Sequence, residues 1–323
     1  MTATVLVTGG HGTMGPWVVR ALHARDARVV VLDLLDAPRT GLAEDAAIPD
    51  ASVVGDVRDS DLVERTLREH GVSHVVHLAA LVGDVCESDP VTAFEVNTIA
   101  TARLIGASEA AGVRRLVANS TKGVLGPLPE RYLHPAYEPV PIEHPPSPRQ
   151  VYEVSKLAVE RLVAAARERG LSAATLRFTT TWGPGKSAAT HAGLSFHSDL
   201  VAAAIAGGDV SVDVHPDQGF DLVYYADVGA AIAAASLADG PLTSHVYHVG
   251  AGRITTMADF ARALETAFPG CRLSMGERFP PGRNVLFDIS AARADLGYEP
   301  AFDVPAALAD IVSRASAATG RST

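Results

Sequence analysis

Short apolar runs alternate with longer amphipathic stretches through the first 180 residues of the chain. Six of these runs predict strands, at Thr4–Thr8, Arg28–Asp33, Ser52–Asp56, His74–Ala80, Arg115–Ser120 and Ala173–Phe178. The stretches between them predict helices, at Pro16–Ala24, Ser60–His70, Pro90–Ala111 and Gln150–Arg169. Because apolar strands that alternate with helices are covered on both faces, the pattern predicts an α/β fold with a doubly wound parallel sheet.

The second half of the chain has a less regular pattern. It predicts four helices, at Ser198–Ala206, Asp227–Leu237, Met257–Phe268 and Pro305–Ala315. It also predicts two strands, a short one that ends at Val214 and another at Val246–Gly250. We therefore predict a cofactor domain of residues 1–180, to which residues 223–250 return, and a smaller interleaved substrate lobe of residues 181–222 and 251–323. The proline-rich segment Pro127–Pro148 lacks periodicity and predicts a surface loop near the site.

Composition narrows the possible partners. The chain has 323 residues, 47% of them hydrophobic, which is enough for a large core, and its net charge of −10 disfavours nucleic acid. Apolar runs such as Leu200–Ala206 are too short to cross a membrane, and the predicted strand at Thr4–Val7 leaves no room for a signal peptide. Cys86 and Cys271 show neither a disulfide framework nor a metal-type spacing. We expect a cytoplasmic protein that binds a small molecule and no metal.

A glycine-rich segment, Thr8–Gly15, follows the first predicted strand and opens the first helix. Glycines there let the backbone approach a pyrophosphate, and the unpaired N–H groups of a helix N-terminus favour anions. A tight turn between a strand and a helix is the simpler alternative. The position of the segment favours dinucleotide binding.

Asp33 ends the second predicted strand, about 20 residues after the glycines begin, where a carboxylate accepts hydrogen bonds from an adenosine ribose. The same charge would repel a 2′-phosphate, so the sequence predicts NAD rather than NADP. Asp36 competes for this role, and a helix-capping function is the alternative for Asp33.

Tyr152 and Lys156 are four residues apart on a predicted helix, so both project from one face. A free phenol titrates near pH ~10, which is high for a base at neutral pH. A neighbouring ammonium favours the phenolate, and Tyr152 could then exchange a proton with a secondary alcohol while a hydride moves to or from the cofactor. An exposed tyrosine and lysine on an ordinary amphipathic helix are the alternative.

These motifs together resemble those of the extended short-chain dehydrogenase/reductase family, which includes nucleotide-sugar epimerases and dehydratases. The resemblance rests on seven segments spread over nearly the whole chain, Thr8–Gly15, Asp33, Asp56–Val57, His77–Ala80, Asn97, Tyr152–Lys156 and Asp288–Pro300. It implies a Rossmann-like fold, NAD as cofactor and a homodimer formed through the helices near Tyr152 and after the fourth strand.

The resemblance also implies roles for individual residues. Those expected to bind the cofactor are Gly9, Gly12, Thr13, Met14 and Gly15 at the pyrophosphate, Asp33 at the ribose, Asp56 and Val57 at the adenine, Leu78, Ala79 and Ala80 along the channel, Asn97, Tyr152 and Lys156. Asn97 could equally be a structural support. Tyr152, Lys156 and Thr121 are the expected catalytic residues, with Ser120 as the alternative to Thr121. The expected substrate contacts are Thr121, Lys122, Thr180, His191 and Ser195.

Three departures from the family pattern bear on the reaction. Dehydratases of the family carry acidic residues after the active-site threonine, whereas this chain has Lys122 and Gly123, which disfavours dehydration. The asparagine and arginine expected near a nucleotide sugar correspond to Thr180 and Phe220. We therefore expect an NAD-dependent dehydrogenase that acts at a secondary alcohol or ketone of a sugar-like or small hydroxylated substrate. A nucleotide-sugar epimerase is the alternative, and a non-catalytic dinucleotide sensor is the least favoured.

Overall fold

A seven-stranded parallel sheet forms the centre of the computed structural model, which describes residues 2–38, 47–185, 196–279 and 284–318. Its strands are β1 Thr4–Thr8, β2 Arg28–Asp33, β3 Ala51–Val54, β4 His74–His77, β5 Arg115–Thr121, β6 Ser172–Phe178 and β11 Val246–Val249. Their order across the sheet is β3-β2-β1-β4-β5-β6-β11. The strand order reverses at β1, so a crevice opens between the carboxyl ends of β1 and β4. The predicted doubly wound fold is confirmed.

Helices cover both faces of this sheet. The longer ones are α1 Gly15–His23, α2 Ser60–Glu69, α5 Ala100–Ala110, α6 Val151–Glu168 and α8 Tyr225–Ser236. Along β1 the side chains alternate, so that Val7 joins the apolar cluster on one face and Leu6 the cluster on the other. Both are fully buried, which explains why the strands lack a polar face.

The region after β4 differs from the prediction. The expected strand His74–Ala80 ends at His77, and the expected helix Pro90–Ala111 is divided into α4 Pro90–Phe94, a π-helical turn at Glu95–Ile99, and α5; a further short helix, α3, spans Asp84–Ser88. A π-helical turn inserts one residue into a helix and redirects the side chains near it. Here it contains the buried Asn97.

A third apolar cluster, separate from those on the two faces of the sheet, contains the remaining long helices. These are α7 Phe196–Ile205, α9 Met257–Ala267 and α11 Val304–Ala318, while the shorter α10 Ser290–Leu296 lies against β11. Six short strands pair here as β7 Thr180–Trp182 with β10 Leu222–Tyr224, β8 Val210–Val212 with β13 Leu273–Met275, and β9 Gly219–Phe220 with β12 Thr255–Thr256. The boundaries proposed for the substrate lobe stay a prediction.

The proline-rich loop Pro127–Pro148 lies against this second part of the chain. Beyond a single 3₁₀ turn at Glu130–Tyr132 it has no helix, and Val140 forms an isolated β-bridge with Phe287. The hydroxyl of Tyr137 accepts a hydrogen bond from the N–H of Gly219 at 2.7 Å. Across the ranges given above, no helix is both long and apolar enough to span a membrane.

Candidate active site

The segment Thr8–Gly15, here named the phosphate loop, joins β1 to α1 and depends on glycine at two positions. Gly9 has a φ of +70°, and a Cβ on it would lie 2.6 Å from the backbone nitrogen of Ala79. Gly15 begins α1, where a Cβ would collide with the backbone of Gly10. Side chains at these two positions would therefore push the loop away from β4 and from the helix.

The N-terminus of α1 is suited to an anion. Its first turn contains no acidic residue, no side chain caps it at Met14, and Pro16 lies within the first turn. The N–H groups that an α-helix leaves unpaired at its start attract a pyrophosphate, as does the helix dipole. The phosphate loop and this helix end thus fit the predicted dinucleotide.

The carboxylate of Asp33 is fixed beside the phosphate loop at the end of β2. One oxygen accepts from the N–H of His11 at 2.9 Å and the other from the N–H of Leu35 at 3.0 Å. Asp36, the competing candidate, is exposed, whereas Asp33 is partly buried. Asp56, expected at the adenine, accepts from the guanidinium of Arg58 at 2.7 Å and is partly exposed. Both roles stay predictions.

His77, at the end of β4, connects the phosphate loop to α5. The hydroxyl of Thr101 donates to the carbonyl of Asn97 at 2.7 Å, so it must accept from His77 Nε2 at 2.8 Å. His77 Nδ1 then accepts from the hydroxyl of Thr8 at 2.7 Å. Burial, with a smaller contribution from Lys156, lowers the pKa of His77 to about 3, so this imidazole stays neutral with its proton on Nε2.

Asn97 supports the segment that follows β4. Its amide pairs with both backbone groups of Leu81, accepting at 2.8 Å and donating at 3.0 Å, and also donates to Ser155 Oγ at 3.0 Å. Ser155 in turn donates to the carbonyl of Tyr152 at 2.7 Å. These contacts give Asn97 a supporting role, because they hold the segment containing Leu78 in place; a direct contact with the cofactor stays a prediction.

Tyr152 and Lys156 lie together in the first two turns of α6. The Nζ of Lys156 is 5.9 Å from the ring centre of Tyr152 and donates to Asn119 Oδ1, on β5, at 3.0 Å. Lys156 is 1% exposed, whereas Tyr152 is only partly buried. The structure therefore brings the expected pair together, and it adds Asn119, which sequence reasoning did not assign, as the residue that orients the ammonium.

The protonation of this pair differs from the sequence-based expectation. Burial raises the pKa of Tyr152 above its usual range, and the neighbouring Cys86 and Glu153 add to the shift. Burial also lowers the pKa of Lys156 to about 8, against a smaller opposing effect of Cys86. Near neutral pH Tyr152 thus keeps its proton while Lys156 is mostly charged, so proton removal by Tyr152 needs a further positive charge beside the phenol.

The structure separates the two hydroxyls at the end of β5. Ser120 is 3% exposed and donates to Glu160 Oε1 at 2.6 Å. Thr121 is partly exposed, and its Oγ1 accepts from the N–H of Gly123 at 3.1 Å at the start of a 3₁₀ turn. Because Ser120 is buried and its hydroxyl is hydrogen-bonded to Glu160, Thr121 remains the candidate for binding the reacting oxygen.

The hydrogen bond of Ser120 leads to a buried ion pair between Glu160 and Arg177 that was not predicted from the sequence. Glu160, one helical turn after Lys156, accepts two hydrogen bonds from the guanidinium of Arg177, at 2.7 and 2.8 Å. The side chains are 3% and 5% exposed. The spacing of Tyr152, Lys156 and Glu160 at intervals of four residues was the available signal, because it places all three on one stripe of α6.

Two of the expected substrate contacts lie side by side. The Nζ of Lys122 donates to Thr180 Oγ1 at 2.7 Å, and both residues are partly exposed. His191 and Ser195, the other two candidates, lie outside the residues that the structure describes. Of the departures from the family pattern, Lys122 and Thr180 are therefore in direct contact.

Phe220, the last residue of β9, and Asp221, which lies between β9 and β10, are both buried. Phe220 packs edge-on against Phe196 and His197, with ring centres 5.5 and 4.6 Å apart. Asp221 accepts from the N–H of Ala251 at 2.6 Å and from a second backbone N–H at 3.2 Å. Burial nevertheless raises the pKa of Asp221 to about 7.

In the described ranges, no group of histidine, cysteine and carboxylate side chains could hold a metal ion.

Comparison with known proteins gives a family match over most of the chain. The model of the NAD dependent epimerase/dehydratase family matches residues 5–250. A UDP-glucose 4-epimerase of Azospirillum brasilense is 35% identical over 178 residues, which are 54% of this chain and 48% of the relative. The chain therefore matches about half the length of that curated relative.

Solved structures resemble the chain over nearly its full length. UDP-glucose 4-epimerase of Thermotoga maritima, crystallised with UDP-glucose, has a TM-score of 0.81 and 25% identity, covering 96% of this chain and 98% of the other. UDP-glucose 4-epimerase of Thermus thermophilus, in complex with NAD, has a TM-score of 0.77 and 28% identity, covering 97% and 98%.

Proposed function

Since the chain belongs to the NAD-dependent epimerase/dehydratase family, with NAD as its cofactor, we propose that it is a nucleotide-sugar epimerase that retains NAD through turnover. The relatives reported above are epimerases of UDP-glucose, which supports this function over the net dehydrogenase that we expected from the sequence. The carrying observation is the pair of Tyr152 and Lys156 at the carboxyl ends of the strands, with Asn119 holding the ammonium.

The residues of the chain divide the work of the reaction. When bound, NAD supplies a hydride acceptor and a positive charge that favours the phenolate of Tyr152. Tyr152 would take the proton from the substrate hydroxyl as the carbon bearing it is oxidised, and would return a proton to that oxygen when the carbon is reduced again with the opposite configuration. Thr121 would bind the reacting oxygen, and Lys156 would hold the cofactor ribose and keep a positive charge near the phenol.

The residues after Thr121 disfavour loss of water, the other reaction in the family name. Loss of water needs an acid and a base beside the reacting carbon, and positions 122 and 123 are lysine and glycine. The proposed path leaves the substrate with its original composition and inverts one hydroxyl-bearing carbon. The proton and the hydride both return, so no NADH accumulates.

The decisive experiment incubates the purified protein and NAD with UDP-glucose and related nucleotide sugars, and follows both absorbance at the NADH band and product identity. An epimerase converts the sugar to its stereoisomer with no lasting rise in NADH. Stoichiometric NADH with an oxidised product would instead establish a dehydrogenase, and product lacking the elements of water would establish a dehydratase.

We predict that the protein binds NAD at least about tenfold more tightly than NADP, since Asp33 would place a carboxylate against the 2′-phosphate. Calorimetric titration with both cofactors measures the ratio. Asp33→Asn should lower the ratio of NAD affinity to NADP affinity. Asp36→Asn, which changes an exposed neighbour, should leave this ratio unchanged. Equal affinities for NAD and NADP in the unmodified protein would show that Asp33 does not have this role. If only Asp36→Asn lowers the preference for NAD, the role belongs to Asp36.

We further propose a homodimer formed through the helices around α6. Four large apolar side chains on neighbouring elements are unusually exposed, Val85 at 53%, Val91 at 70%, Ile99 at 46% and Val154 at 39%. Light scattering should give twice the 33.6 kDa chain mass, and Val91→Glu should reduce it. Ile48→Glu, at a residue that is 82% exposed elsewhere, is the matched control. A monomeric mass at micromolar concentration would contradict the dimer.

The cytoplasmic location expected from the sequence stays a prediction.

A further inference from the structure

The proline-rich loop connects the two elements that hold the candidate catalytic residues. It begins just after the 3₁₀ turn that follows Thr121, and it ends just before α6, whose second residue is Tyr152. The two ends of the loop also meet each other. The N–H of Ser147 donates to the carbonyl of Val124 at 2.9 Å, and a Cβ on Gly126 would collide with the carbonyl of Ser147. The base of this loop therefore joins the element after Thr121 to the element before Tyr152.

The loop continues without a break into the first turn of α6. The carboxylate of Glu153 accepts the backbone N–H groups of Arg149 and Gln150, at 2.8 and 3.1 Å. Glu153 is buried and follows Tyr152 directly. A displacement of the loop would therefore pull on the hydrogen bonds that hold the helical turn containing Tyr152.

Tyr137 fastens the distal part of the loop to β9. Its hydroxyl accepts from the N–H of Gly219 at 2.7 Å and from Gln218 Nε2 at 2.8 Å, and it donates to the carbonyl of Gly219 at 3.3 Å. A phenolic hydroxyl has one proton and two lone pairs, so its whole hydrogen-bonding capacity is used here. Gly219 begins β9, in the part of the chain that we predicted to bind substrate.

The backbone on both sides of this contact is specialised for it. Tyr137 has a φ of +45°, in the left-handed region that is unfavourable for a bulky side chain. On the other side, a Cβ on Gly219 would lie 2.3 Å from Cγ2 of Ile254 and 2.9 Å from Cζ of Tyr137. Backbone strain persists only where the surrounding contacts hold it in place, and it is concentrated at functional sites. The strain at Tyr137 therefore points to a function for its contact with Gly219.

Two further contacts hold the same segment of the loop. The ring of Phe279 packs on those of His134 and His215, with ring centres 4.7 and 4.3 Å apart. Val140 makes the β-bridge described above. Because Tyr137 lies between His134 and Val140 in the chain, its hydroxyl is at the centre of the docked segment.

We propose that Tyr137 is a positioning residue, which couples the docking of the proline-rich loop on β9 to the placement of Tyr152 and Thr121. The inference rests on the proposed function for the reaction that these two residues carry out. While the loop is docked, the first turn of α6 and the 3₁₀ turn after Thr121 are held by a common support. When Tyr137 is released, both turns lose that support, and a misplacement of about 1 Å can cost roughly 10²-fold in rate.

The kinetic test compares Tyr137→Phe with Tyr132→Phe in the full-length protein loaded with NAD. Both variants remove one hydroxyl from the same loop, but that of Tyr132 accepts from its neighbour Arg131, inside the loop, at 2.9 Å. We expect Tyr137→Phe to lower kcat for UDP-glucose by about 10- to 100-fold and to change NAD affinity by less than about twofold. Tyr132→Phe is the matched control and should leave both quantities unaltered.

Amide hydrogen exchange, followed by mass spectrometry, measures the coupling independently of turnover. In Tyr137→Phe the peptides of the loop and of the first turn of α6 should exchange about tenfold faster, as expected when hydrogen bonds of this kind are lost. Peptides of β1 and the phosphate loop should be unaffected. Faster exchange confined to the proline-rich loop would overturn the coupling. Faster exchange throughout the sheet would also overturn it, because Tyr137 would then only stabilise the fold.

The two measurements together separate this inference from the proposed function. If exchange changes as expected but the unmodified protein does not epimerise UDP-glucose, the coupling is supported and the epimerase is wrong. If the protein epimerises UDP-glucose and Tyr137→Phe leaves kcat unaltered, the epimerase is supported and the coupling is wrong. Equal losses of kcat in Tyr137→Phe and Tyr132→Phe would likewise contradict a specific role for the contact with Gly219.

Discussion

Tyr152→Phe lowers the rate of epimerisation by about 10²–10⁴-fold, the range expected when a positioned proton-transfer group is removed. The substitution keeps the ring and its packing and deletes only the phenolic oxygen. NAD affinity should change little. Stopped assays of product stereochemistry at saturating substrate give kcat, and calorimetry gives the cofactor affinity.

Lys156→Ala is the companion variant, because it tests the other half of the pair. It should slow turnover and also weaken NAD, since the proposed role of Lys156 includes the cofactor ribose. Far-UV circular dichroism controls for folding, which matters because Lys156 is buried against Asn119. If Tyr152→Phe retains near-normal turnover, the proton transfer belongs to another group, and Thr121 and Lys122 become the residues to test.

The sheet was predictable because its inner strands are apolar on both faces. The run Thr4–Thr8 is followed by Gly9, and the run Arg28–Asp33 begins and ends with a charged residue; the observed bounds of both strands equal the predicted ones. The short strands β9 and β12 were not predictable, since two residues carry no periodicity and their pairing depends on distant chain segments. The π-helical turn at Glu95–Ile99 was missed for a related reason: Asn97 gains hydrogen bonds to Leu81 and Ser155 that exist only in the folded chain.

The candidate site was predictable where one local motif contains the chemistry. The phosphate loop and the spacing of Tyr152 and Lys156 are local, and the structure places them at the carboxyl edge of the sheet. Two pairings on α6 were not predictable, Lys156 with Asn119 and Glu160 with Arg177, because the partners lie on β5 and β6. The pKa of Tyr152 also depends on burial, which opposes the nearby ammonium and is invisible in the spacing of residues.

The largest loss of stability is expected from Arg177→Met. The guanidinium of Arg177 makes two hydrogen bonds to Glu160 in a pair that is nearly inaccessible to water. Removing one partner leaves a buried carboxylate whose remaining donor is Ser120, and such uncompensated charges cost about 3–5 kcal/mol. Guanidinium denaturation followed by circular dichroism measures the change in the free energy of unfolding, with an unaltered m-value as the sign of a two-state comparison.

Two further variants identify the buried charge as the cause. Adding Glu160→Gln to Arg177→Met neutralises the carboxylate and keeps an acceptor for Ser120, so it should recover part of the lost stability. Arg293→Met breaks the exposed pair with Glu299, whose side chains are 48% and 67% exposed, and should have a far smaller effect because solvent screens that pair. Equal losses from Arg177→Met and Arg293→Met would mean that Glu160 finds water or another donor. Since Glu160 lies one turn after Lys156 on α6, the placement of Tyr152 and Lys156 would then have to be determined again in the variant.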